Sequence, residues 1–138
     1  MAYWLVKSEP NSWSWDQQVA KDVEVWDGVR NHQAKNNLLA MRLGDLAFFY
    51  HSVEGKEIVG IVVVAAEAHP DPTDPTGKWF AVDFQAVRPF VKPVPLEQIK
   101  NDPRLADMVL VKNSRLSVQP VTGAEWQLIC GIGETDSD

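Results

Sequence analysis

The chain predicts an α+β domain: five or six short strands with small helices between them, in a sheet closed or nearly closed on itself. Three observations carry that expectation. Strand-like segments recur along the chain, separated by turn residues. The helical segments are short and bring their own caps. So many short strands would leave exposed edges unless the sheet closed or covered them.

The elements follow in order. Tyr3–Val6 opens the fold as a strand, and Ser14 with Gln17 stands at capping-box spacing before a short helix, with Asp16 in its first turn. Val23, Val25 and Trp26 form a brief strand, and Asp27-Gly28 turns the chain into a polar helix over roughly Asn31 to Met41. Leu46–Ser52, entered through Gly44-Asp45, is the next strand. Glu54-Gly55-Lys56 turns it into Ile58–Ala66, an apolar run that predicts a strand covered on both faces. His69–Gly77 holds Pro70, Pro72 and Pro75 and predicts a loop. Beyond it Phe80, Val82, Phe84 and Ala86 alternate with Asp83 and Gln85, the pattern of a half-buried strand. Pro95 to Ile99 predicts a short helix and Ser114–Val118 a last strand. Thr122 with Glu125 caps a final helix carrying Trp126 and Ile129.

Length and charge bound the function. A chain of 138 residues makes one domain and buries roughly 68% of its unfolded surface. An apolar share of 45% and a charged share of 23% sit near the globular average and exclude disorder and coiled coil. The net charge is −6, with Glu134, Asp136 and Asp138 near the end. The expected organisation is therefore a domain over residues 1–133 and an acidic flexible tail over 134–138. Without the tail, 13 basic residues face 16 acidic ones, which argues against a protein that grips long nucleic acid through its phosphates. One cysteine, Cys130 among Leu128, Ile129 and Ile132, excludes a disulfide framework and predicts a buried thiol in a cytoplasmic protein. No apolar run reaches membrane-spanning length, and Met1-Ala2-Tyr3-Trp4 lacks the features of a signal peptide.

The usual catalytic motifs fail. His32, His51 and His69 stand too far apart, with no paired ligands near them, so no metal site is expected. Thr76-Gly77-Lys78 would end a phosphate loop, but Pro72 occupies the required glycine position. Asp71 and Asp74 with Lys78 lie in a proline-stiffened loop and make a poor nuclease centre. No cofactor is implied.

Aromatic and polar residues remain, with tryptophan high at six. Trp26-Asp27-Gly28-Val29-Arg30-Asn31 sets a flat ring beside a polar turn at a strand end. Tyr50-His51-Ser52, Lys7-Ser8-Glu9-Pro10 and Arg115-Leu116-Ser117 do something similar. Rings for stacking and polar groups for edge contacts are what recognition of a flat heterocycle requires. The plainer alternative makes Trp4, Trp26 and Tyr50 core, and the polar groups caps.

These blocks, together with Gln33-Ala34, Asn37-Leu38, Gly60-Ile61-Val62 and Glu67 to Thr73, resemble the EVE domain from residue 3 to about 130. The resemblance implies a PUA-like fold, a small mixed β-barrel flanked by short helices. It also implies kinship with YTH domains, which hold methylated adenine in an aromatic cage. Lys7-Ser8, Trp26 and Asn31 match the YTH pattern, whereas Asp27 stands where that pattern has serine. Trp79 and His69 are candidates for a second cage aromatic. The implied activity is non-catalytic binding of a modified base, such as a methylated cytosine or adenine, in DNA or RNA that is single-stranded or has a flipped base. Ser8, Glu9, Trp26, Asp27, Asn31, Tyr50, His51, Ser52 and Trp79 would hold the base, with Trp26 as a partly exposed stacking platform. Lys7, Arg30, Lys35 and Arg115 would meet phosphates, with Arg42 extending the strip. A monomer is expected, without a membrane partner. A nucleotide- or RNA-directed enzyme and a pocket for a small heterocyclic metabolite are the alternatives, the latter favoured by the acidic charge.

Overall fold

A computed structural model describes residues 1–138. Its strands are β1 (Tyr3–Ser8), β2 (Val23–Trp26), β3 (Leu46–His51), β4 (Glu57–Pro70), β5 (Phe80–Pro95) and β6 (Val118–Val121). The helices are α1 (Trp15–Lys21), α2 (His32–Ala40), α3 (Leu96–Lys100), α4 (Val109–Lys112) and α5 (Gly123–Ile132), with a 3-10 turn at Pro103–Leu105. The strands form one sheet in the order β2-β5-β4-β3-β1-β6. All pairings are antiparallel except β1 with β3, which run parallel, Tyr3 opposite Leu46 through Ser8 opposite His51.

Strand periodicity explains the two cores. On β1, Trp4 and Val6 point to one face and Leu5 to the other; on β3, Ala47 and Phe49 oppose Phe48 and Tyr50. One face packs with Trp15 of α1 and with Ala34 and Leu38 of α2. The other packs with Ile99 of α3 and with Trp126, Ile129 and Cys130 of α5. Because β1 and β3 are buried on both faces, helices must cover both sides. The expected closure into a barrel is not met: β2 and β6 end the sheet and do not pair with each other. Register shifts interrupt the β4–β5 ladder, the kind of irregularity that bends a strand and increases its twist.

Three further expectations need correction. The last strand is β6, Val118–Val121, and Leu116 closes a turn by donating its N–H to Asn113. Pro120 is tolerated there because β6 is an edge strand. Strand β4 continues to Pro70, into the expected loop, and α4 with the 3-10 turn buries Leu105, Met108 and Leu110 in a stretch without periodic pattern. Residues 134–138 are not a loose tail. The Trp126 indole N–H donates to the Ser137 carbonyl at 3.0 Å, Val91 N–H donates to Thr135 Oγ1 at 2.9 Å, and Arg88 donates to the carbonyls of Asp136 and Asp138. No helix is long and apolar enough to cross a membrane.

Gly60 on β4 lets α1 reach the sheet. A Cβ at this position would lie 2.5 Å from Cζ3 of the buried Trp15 ring. Gly60→Ala should therefore cost about 1–3 kcal/mol through overpacking. In a Trp15→Phe background the same substitution should cost less, measured by urea denaturation as a double-mutant cycle. Equal costs in both backgrounds would remove the close approach as the cause.

Candidate functional site

The residues at the ends of β1 and β2 line one cavity, although the two strands do not pair. After Ser8 the chain folds into a turn in which Ser12 and Trp13 donate their N–H groups to the Glu9 carbonyl, at 2.9 and 2.8 Å. The Ser8 hydroxyl donates to the Trp13 carbonyl. Ser14 then caps α1 through the reciprocal box with Gln17. This sets Trp13 just outside the cap and Gln18 at the fourth helical position, the two places that a hydrophobic staple joins. Here the staple is polar: Trp13 Nε1–H donates to Gln18 Oε1 at 2.9 Å. Gln18 is fully buried, and its Nε2 donates to the carbonyls of Asp22 and Phe84 at 2.9 and 3.1 Å. Asp22 turns the chain from α1 into β2 at φ 73°, ψ −68°, a strained conformation for a residue with a side chain.

A cavity of about 640 Å³ opens between these ends. Lys7, Ser8 and Glu9 form one wall and Ser12 with Trp13 the next. Glu24, Val25 and Trp26 of β2, continued by Asp27 and Gly28, close it. The size suits a nucleobase-sized ligand. The expectation of Trp26 as a partly exposed platform is corrected: it is 9% exposed and belongs to the core. Phe49 and Phe84 meet it in edge contacts at 5.6 and 5.5 Å. Trp13, half-buried, is the more accessible wall, and with its N–H held by Gln18 it offers only carbon edge and π surface.

The lining is acidic. Glu9 and Asp27 are exposed, and Glu24 pairs with Lys21 at 2.8 Å. Partial burial, then the negative charges of Asp71 and Glu24, push the Asp27 carboxyl above its ordinary range. Lys7 is the one cation of the lining, and its ammonium donates to the Ser114 carbonyl and lies 5.8 Å from the Tyr50 ring. Burial lowers its pKa.

Of the residues singled out in the sequence, Lys7, Ser8, Glu9, Trp26 and Asp27 come together, and the rest do not join them in the lining. Asn31 caps α2, accepting Ala34 N–H at 2.9 Å. Tyr50 is buried in the opposite core, which pushes its phenol up to about 12. His51 Nε2 accepts Trp15 N–H at 3.1 Å, and burial lowers its pKa. Ser52 extends the ladder through its N–H to the Ser8 carbonyl. Arg115 is exposed on the turn beside Ser114. His69 bonds Asp83 at 2.7 Å, which raises its pKa. Arg42 reaches the carbonyls of Leu39 and Met41. Trp79 forms a separate cluster: His32 lies tilted over it at 4.9 Å, with Arg30 and Lys35 at 5.7 and 5.4 Å. The plainer alternative therefore holds for Trp4, Trp26 and Tyr50 as core, and for Asn31 as a cap. The sequence did not single out Ser12, Trp13, Glu24 and Val25 as lining residues; for Trp13, its position next to a capping box was the available signal.

Asp71, with its side chain fully enclosed, braces the turn after β2. It accepts Gly28 N–H at 2.8 Å, Arg30 Nη1 at 3.0 Å and both Thr73 donors. Burial pushes its carboxyl up, but the bonds from Thr73, Gly28 and Arg30 outweigh that and hold it well below the usual carboxylate range. Gly28 supplies the positive φ of 79° that the turn requires.

Residues 2–132 match the EVE domain family. The chain is an EVE-domain protein. Over 97% of its length this EVE domain resembles Rpa0253 from Rhodopseudomonas palustris, at 62% identity and a TM-score of 0.93, covering 94% of that structure. It also resembles the human THYN1 protein, solved in complex with 5-methylcytosine containing DNA, at 34% identity and a TM-score of 0.91, with 99% of each chain covered. The PUA-like, α+β character of the fold is thus shared with solved relatives. A YTH domain of Zygosaccharomyces rouxii MRB1 is 17% identical with a TM-score of 0.59, over 96% of this chain and 86% of that one, a likeness of fold alone.

Asp71→Asn should destabilise the EVE domain by about 2–3 kcal/mol at pH 7, less than the loss of a fully buried pair because the Arg30 side chain is 40% exposed. A carboxyl held below its unfolded value stabilises the fold above that value and loses the contribution as pH falls toward the folded one. The gap between wild type and variant should therefore shrink below about pH 4. Urea melts at pH 7 and pH 3 measure it, and a gap that widens at pH 3 would contradict the assignment.

Proposed function

We propose that this EVE domain is a non-catalytic, monomeric reader of a modified nucleobase in DNA or RNA, and that an extruded or single-stranded base enters the cavity against Trp13 and the exposed part of Trp26. The cavity itself is the observation that carries the reading: two indoles and several polar side chains at the adjoining ends of β1 and β2. The complex of the human THYN1 protein with 5-methylcytosine containing DNA supports it. Taking a base out of a stack costs a few kcal/mol, less from a single strand, and stacking on an aromatic ring returns about 1–3 kcal/mol. Asp27 offers an acceptor to an exocyclic amine, and the exposed Arg115, next to the Ser114 carbonyl that holds Lys7, is free to meet a flanking phosphate. The acidic lining favours a second reading, a pocket for a free heterocyclic metabolite, in which nucleosides bind as well as oligonucleotides do.

Two tryptophan variants separate the site from the core. Trp13→Ala should weaken binding of single strands carrying 5-methylcytosine or N6-methyladenine by tenfold or more, with melting shifted by only several degrees. Trp26→Ala should cost roughly 3–5 kcal/mol of stability through the cavity left in the core. Fluorescence anisotropy and thermal melts give both numbers. Binding by Trp13→Ala at wild-type affinity would sink the reading.

A further inference from the structure

We infer that the base this pocket prefers carries a positive charge: one alkylated on a ring nitrogen, of the type of 1-methyladenine or 3-methylcytosine. The inference rests on the reader function proposed above and names its ligand class. On a neutral base one buried methyl improves affinity only about fourfold. This cavity offers something different. Glu9, Glu24 and Asp27 face it, against Lys7 alone. Glu24 already has Lys21 at 2.8 Å. The Lys7 ammonium is turned to the Ser114 carbonyl. Glu9 and Asp27 form no ion pair, so the cavity keeps uncompensated negative charge.

The aromatic wall points the same way. With its N–H held by Gln18, Trp13 presents π surface, which attracts a delocalised cation more than a neutral ring. Trp26 adds a second indole beside Asp27. Asp27 stands at the cavity rim near Glu24, with no cation bonded to it, so a cationic ligand would meet an open carboxylate there. A phosphate would be repelled by it. Finally, a base alkylated on its pairing edge cannot form a normal base pair, so it leaves a duplex at lower cost.

Isomeric ligands test this without changing size or composition. Wild-type protein is titrated with single-stranded hexanucleotides carrying one 1-methyladenine, N6-methyladenine, 3-methylcytosine or 5-methylcytosine, and with the unmodified strands. The charged member of each isomer pair should bind at least tenfold more tightly than the neutral one. Replacing the unpaired acids, as Glu9→Gln with Asp27→Asn, should tighten all strands somewhat through reduced phosphate repulsion and shrink the charged-to-neutral ratio below threefold. Equal or weaker binding of the charged isomers would overturn the charge preference while leaving the reader function standing. So would a ratio that survives the double substitution. Failure of every modified strand to bind better than its unmodified control would overturn both.

Discussion

The amide of Gln18 is the contact on which the rest of this site depends. It is fully buried, and each of its polar atoms has a partner: the Trp13 indole on one side, the carbonyls of Asp22 and Phe84 on the other. An apolar residue there would leave buried partners without hydrogen bonds, which is costly in a dry interior. The amide therefore joins the pocket wall and the strained corner that starts β2, both nearby in the chain, to the distant strand β5. The corner persists because it is over-determined. Asp22 N–H donates to the Gln18 carbonyl and Ala86 N–H donates to the Asp22 carbonyl.

Sheet topology decides where that wall stands. The parallel pairing of β1 with β3 sets Ser8 beside His51, and the Ser52 N–H continues the ladder to the Ser8 carbonyl. His51 in turn accepts the first N–H of α1, fixing the helix start against the sheet. Gly60 then allows the Trp15 ring to close on β4. At the far edge β2 pairs with β5, Trp26 opposite Val82, which drives the Trp26 ring into the core and leaves Asp27 at the rim. Asp71 holds the Gly28 turn beyond it.

The electrostatic division follows from these contacts. Many of the basic side chains are already engaged: Arg30 by Asp71, Arg104 by Asp102, Arg88 by the carbonyls of the C-terminal segment. Few remain to meet a phosphate chain, and the cavity is negative. Such a surface is poorly suited to holding nucleic acid by its backbone, where affinity scales with the number of phosphates neutralised. The proposed reader function therefore draws its affinity from contacts to the base rather than to the backbone.

The sequence by itself determined most of the local structure. Both capping boxes, Ser14 with Gln17 and Thr122 with Glu125, form as their spacing requires, because a cap is satisfied within one helical turn. Alternation set the inward faces of β5, and the ordered blocks from Tyr3 to Val121 carried the family. The pocket residues Lys7 to Glu9 and Trp26-Asp27 were legible for the same reason, as polar and aromatic groups where strands stop. Only the tertiary structure decided how exposed each aromatic is. Trp26 is enclosed by Phe49 and Phe84, distant in sequence and brought to it by strand pairing. Trp79 meets His32 instead of the cavity, and Trp13 becomes a wall through an amide five residues away that no apolar pattern marks. The segment 134–138 reads as a polar tail until Trp126, Val91 and Arg88 are seen to hold its carbonyls and hydroxyl. Caps and strand faces depend on neighbours in the chain; burial and pocket membership depend on long-range pairing, which local pattern does not encode.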